Sequence, residues 1–137
     1  MPVYANSAQL YGSLSLLFDQ IKEKDPGALR SLQASRLLIR LRCTLPGAEV
    51  LINGRQSPVQ IRYGVSGERA DLDVTLPADT LHLVLLAELP LRKAIASGQM
   101  RVRGPIFKTF ALEEILHHGQ ALYPQVLREQ GLNGHGA

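Results

Sequence analysis

Asp71 and Asp73 form the carboxylate pair most open to an acid–base reading, since two ionisable groups side by side can divide the roles of proton donor and acceptor. Their spacing decides against it. Residues two apart on a strand share a face, and over residues 70–76 Ala70, Leu72, Val74 and Leu76 alternate with Asp71, Asp73 and Thr75. Neighbouring segments carry Arg40, Arg42, Arg62, Arg101 and Arg103 at the same kind of polar position. A cross-strand charge ladder is therefore the expected use of the two aspartates. His117 and His118 are adjacent in a helical segment and diverge to different faces, with no third metal ligand nearby. His82 lies inside an apolar helical run and reads as a satisfied structural histidine. The serines lack a nucleophile elbow, and no Gly-rich phosphate loop follows a strand. The expectation is a chain with no catalytic residue, no metal and no cofactor.

Cys43 is the one cysteine, so no internal disulfide can form. It alternates with apolar neighbours as a small core residue would. Cysteine usage and the lack of a signal-peptide pattern predict a reducing, cytoplasmic setting. The chain of 137 residues reads as one domain over 1–130, with a disordered tail over 131–137. Hydrophobic residues make up 45% but aromatics only 5%, with no tryptophan and 24 leucines. A net charge of +3 with scattered arginines, and few aromatics for base stacking, argues against nucleic acid.

These residues must be held by elements whose periods are visible. Residues 8–24 place Leu10, Leu14, Leu17, Phe18 and Ile21 at helical spacing, ended by Asp25-Pro26-Gly27. A short helical piece over 28–34 follows. Residues 36–44, 50–52, 58–66 and 70–76 read as strands, the longer ones with one apolar and one polar face. Pro46-Gly47, Asn53-Gly54 and Ser66-Gly67 supply turns, and the expected arrangement is an antiparallel meander. Residues 77–88 then read as a helix with almost no polar face, stopped by Pro90. A second short helix spans 91–97 and ends at Gly98. Residues 99–103 alternate again, and 106–118 and 120–129 read as helices broken near Gly119 and Pro124.

Residues 70–76, Ala-Asp-Leu-Asp-Val-Thr-Leu, the apolar helix, and residues 94–104, Ala-Ile-Ala-Ser-Gly-Gln-Met-Arg-Val-Arg-Gly, occur in that order. Together they resemble the lipid-binding domain of the sterol carrier protein type 2 family. The resemblance covers roughly residues 10–123. Gln99 stands where the family carries Lys or Arg, and Pro105 follows the motif glycine. The resemblance implies an α/β fold of the α+β type: a five-stranded, mainly antiparallel sheet covered by helices on one face. It also implies an apolar tunnel between them for a sterol, fatty acyl chain or similar molecule. An apolar helix is consistent with deep burial, or else with a cavity wall or a partner contact; the resemblance favours a cavity wall.

On that basis the expected ligand-binding residues are Leu72, Val74, Leu85, Leu86, Ile95, Met100, Val102, Ile106, Phe107 and Phe110. The expected function is non-catalytic binding or transfer of an apolar lipid, with transient membrane contact left open. The alternative is an accessory module of the same fold docked on a partner enzyme. An isomerase would need an acid or base in the cavity, where the inward positions are aliphatic. Residues 119–129 are expected to be a lid over the cavity mouth, a plain packing helix or a dimer contact.

Overall fold

The computed structural model describes residues 3–105 and 108–131. Helix α1 spans Ser7–Lys24, with the Asn6 side chain accepting from the Gln9 N–H at 2.9 Å to cap its start. A 3-10 turn and α2 (Arg30–Ser35) lead into β1 (Leu38–Thr44). There follow β2 (Ala48–Asn53), β3 (Gln60–Tyr63), β4 (Leu72–Pro77), α3 (Ala78–Leu85), α4 (Leu91–Ala96) and β5 (Arg101–Arg103). Helix α5 closes the chain at Thr109–Glu129. The strands make one five-stranded sheet in the order β3-β2-β1-β4-β5.

The register sets Ile39 beside Ile52 and Leu72, Leu41 beside Val50 and Val74, and Val74 beside Val102. Because side chains alternate across a strand, these residues form a single apolar layer. Leu10, Leu14, Leu17 and Ile21 of α1, Leu81, Val84 and Leu85 of α3, and Leu112 and Ile115 of α5 belong to the same core. The mixed architecture of one sheet covered by helices matches the expectation.

Two local expectations change. The meander stops at β3: β4 lies beside β1 and parallel to it. Period two assigns each side chain a face but does not name the neighbouring strand. The connection over 64–71 runs across the polar face, where Arg40 Nη2 donates to the carbonyls of Ser66, at 3.0 Å, and Glu68. The second change is in α5, which continues through Gly119 and Pro124 without interruption. A Cβ at Gly119 would lie 3.4 Å from Leu85 Cδ2 and 3.7 Å from Leu17 Cδ2, so the glycine serves close helix packing rather than a bend. The expected disordered tail lies outside the described residues except Gly131, which is in a turn.

The apolar helix is largely a core helix. Ala78, Thr80, Leu81, His82, Val84 and Leu85 are all buried, and Leu83 alone of its large side chains is exposed.

Candidate functional site

The polar face is a charge ladder, with a different membership from the expected one. Arg40 is 6% exposed and reaches Asp73 at 3.1 Å and Glu49 at 3.6 Å. Arg42 shares the same two carboxylates at 3.9 and 3.5 Å. Asp71 instead accepts from the Leu38 N–H at 2.9 Å and pairs with Arg55 at 2.8 Å. Burial raises the Asp71 carboxyl, but these partners outweigh it and hold the group below its ordinary range. Both aspartates are therefore engaged as structural anions. Glu49, in the second strand, and Arg55, in the turn after it, are members the sequence alone does not flag; the place of Glu49 opposite Arg42 is visible only once the register is known.

The second cluster of ionisable groups is internal. Tyr123 of α5 bonds through its hydroxyl to the Tyr4 hydroxyl and, at 2.5 Å, to Nδ1 of His82. All three side chains are buried. Burial pushes the Tyr4 hydroxyl up to about 12, against the lowering effect of its bond to Tyr123. Burial, reinforced by Tyr4, pushes Tyr123 up as well. The trio is buried hydrogen-bonded polarity that ties Tyr4 to α3 and α5, which agrees with the structural reading of His82. Burial likewise raises the Cys43 thiol to about 12 and leaves it inert as a nucleophile. His118 pairs with Asp25, and among the described residues no group of three His, Cys, Asp or Glu could hold a metal ion.

The expected ligand-binding residues separate into three sets. Leu72, Val74, Leu85 and Met100 are fully buried, at 0–1% exposure. Leu86, Ile95 and Val102 are half-buried against that core. Phe110 is 47% exposed, and Ile106 and Phe107 lie outside the described residues. Ile95 and Val102 meet in a groove of about 380 Å³ between α4, β5 and the start of α5. Its other walls are Leu91, Arg92, Ala96, Thr109 and Glu113. Leu91 and Ile95 are one helical turn apart, which puts both on the groove side of α4. Arg92 and Glu113 approach to 4.0 Å from α4 and α5 at the rim. The spacing of Leu91 to Ile95 could have flagged Leu91 in advance. Nothing local marks Thr109 and Glu113, whose place depends on how α5 crosses the sheet. The groove offers aliphatic side chains and a charged rim, which suits an apolar chain with a polar end.

Gly104 fixes the far side of this region. It has a φ of +125°, and a Cβ there would sit 2.5 Å from the Asp71 carbonyl oxygen. The chain leaving β5 can thus lie against the start of β4 only with glycine at this position.

The model of the SCP-2 sterol transfer family matches residues 18–117. No curated protein matches the sequence. Among solved structures, the chain is similar to sterol carrier protein domain 2 of Helicoverpa armigera, with a TM-score of 0.65 and 14% identity over 82% of this chain and 89% of that one. It is also similar to apo sterol carrier protein 2 from Yarrowia lipolytica, with a TM-score of 0.60 and 20% identity over 77% and 91%. A ubiquinone synthesis protein, UbiJ-SCP2, is similar at a TM-score of 0.54 and 21% identity over 78% and 84%.

Proposed function

The chain belongs to the SCP-2 sterol transfer family, and from that premise we propose that it binds a single apolar, chain-like lipid between β5 and helices α4 and α5, without covalent chemistry of its own. The observation that carries this reading is the groove in which Ile95 and Val102 face Leu91 and Ala96. Each methylene removed from water there contributes about 0.8 kcal/mol, so aliphatic walls alone can hold an acyl chain. The proposed wall continues inward through Leu72, Val74, Leu85, Leu86 and Met100, with Phe110 from the first turn of α5. Leu72, Val74, Leu85 and Met100 are buried in the core, so in this proposal a long chain reaches them by α4 and α5 moving off β5. The Arg92–Glu113 pair at the rim is placed to meet a polar headgroup.

No described helix is long and apolar enough to cross a membrane. We propose that the protein works in the cytoplasm, where a single buried thiol needs no oxidising partner. A second reading, an accessory module for a lipid-modifying enzyme, is favoured by one observation: Leu72, Val74 and Met100 are buried at 0–1% exposure, as in an ordinary core. The likeness to a ubiquinone synthesis protein is compatible with it.

Titration with a fluorescently labelled palmitate separates the two. Val102 is half-buried on a short edge strand, so Val102→Arg can turn its charge outward and keep the fold. The carrier reading expects saturable binding by the native chain and its loss in a cooperatively folded Val102→Arg. Unchanged affinity in that variant would remove Val102 from the site, and absence of binding by the native chain would leave the accessory reading.

A further inference from the structure

Among the described residues the two most exposed large aliphatic side chains are Leu45, at 79%, and Val65, at 87%. Both lie at the same end of the sheet. Leu45 begins the turn that joins β1 to β2, just past the Cys43–Ala48 pair. Val65 follows β3 by two residues; Val50 pairs with Tyr63, and the Gly64 N–H donates to the Glu49 carbonyl at 2.8 Å. Val65 therefore stands level with Ala48, and β1 and β3 are two strand spacings apart, roughly 10 Å. Leu45 also has a φ of +53°, in the left-handed region that asparagine or glycine occupies at less cost. A leucine that is both strained and exposed lowers stability, and such positions concentrate where a surface has a task.

On the polar face beside these tips the charges have one sign in excess. The row of side chains nearest this end on the polar face runs from Glu49 through Arg42 and Thr75 to Arg101. In the next row Arg40 and Arg103 flank Asp73, while Arg62 lies beyond Leu51 and pairs with Glu68 at 3.3 Å. Glu49 and Asp73 are already shared by Arg40 and Arg42. Among the described residues Arg101 and Arg103 have no ion pair, and both are exposed.

From this juxtaposition we infer that this end of the sheet docks on an anionic lipid bilayer, with Leu45 and Val65 entering the headgroup layer and Arg42, Arg101 and Arg103 facing lipid phosphates. Apolar tips supply burial, and the arginines supply attraction to the negative surface. The inference is independent of what the interior holds, since vesicle binding is read without any cavity ligand.

Flotation with vesicles tests it, using phosphatidylcholine alone and an equal mixture with phosphatidylglycerol. The native chain is expected to float with the mixed vesicles, less so as salt is raised, and not with phosphatidylcholine alone. Leu45→Asn with Val65→Ser is expected to weaken partition by about tenfold or more, since each removes an aliphatic side chain from the bilayer. The same pair should leave the melting temperature unchanged or higher, because asparagine relieves the backbone at position 45. Arg101→Gln with Arg103→Gln, both on the surface, should weaken flotation while the fold is kept. The inference is overturned if the native chain does not float, floats equally with neutral vesicles, or floats undiminished in either double variant. It is also overturned if sedimentation finds a native dimer that Leu45→Asn with Val65→Ser dissociates, which would make this edge a contact between copies.

Discussion

Truncation after His118 asks what the second half of α5 is for. A lid would leave the core intact and speed ligand exchange. The structure instead buries Tyr123, Val126 and Leu127 at 0–3% exposure. Fully burying side chains of this size contributes about 1.5–3 kcal/mol each, so the three together contribute about 5–9 kcal/mol. Gln20 and Lys24 of α1 also reach Glu129 and Gln125 at 3.1 and 3.4 Å, and truncation removes the hydroxyl that Tyr4 and His82 share. A domain of ordinary stability has only about 5–15 kcal/mol in total. The truncated chain is therefore expected to be unfolded or barely folded at room temperature. Urea unfolding followed by far-ultraviolet circular dichroism, with full-length and truncated chains at equal concentration, reads this directly. A cooperative transition within about 2 kcal/mol of the full-length value, with faster release of bound palmitate, would refute the packing role and restore the lid.

Three further outcomes follow from particular contacts. Arg40→Ala should cost about 3–5 kcal/mol, because it removes the buried donor to the Ser66 and Glu68 carbonyls and leaves Asp73 and Glu49 with Arg42 alone; a loss below 1 kcal/mol in urea unfolding would show that Arg40 is not the organising cation of the polar face. Gly104→Ala should destabilise by more than about 2 kcal/mol, from the positive φ and the 2.5 Å approach to the Asp71 carbonyl, and an unshifted melting temperature would contradict that geometry. Alkaline pH should weaken the fold. The Tyr4 and Cys43 groups are raised by burial to about 12 from ordinary values of 10.0 and 9.0, so the native state holds their protons more tightly than the unfolded chain does. That stability is complete below about pH 9 and declines as pH rises toward 12. A urea midpoint that is level between pH 8 and pH 11 would contradict the burial of these groups.

Faces were legible in the sequence where the period was long enough to read. Ile39, Leu41 and Cys43, and Leu72, Val74 and Leu76, alternate with polar residues, and each triplet lies on the helix-facing side of the sheet. The strand neighbours were not legible, because a polar-face arginine is satisfied by whichever segment reaches it. Arg40 is held by the crossover carbonyls and by Asp73 of a strand brought alongside in parallel. Gly119 and Pro124 read as breaks because their local propensities oppose helix. Contacts of α5 with Leu17 and Leu85 override that preference, and only tertiary packing reveals them. At the groove, Ile95 and Val102 were readable from the family motif and from alternation. Thr109 and Glu113 were not, since an amphipathic segment does not encode where it crosses the sheet.

The most direct measurement for lipid carriage is mass spectrometry of organic extracts from the purified native chain, beside the same extraction of Val102→Arg purified in parallel. The expected result is an acyl or isoprenoid lipid near one equivalent in the native preparation and its absence from the variant. An extract free of lipid, together with no saturable binding of labelled palmitate, would contradict the carrier function.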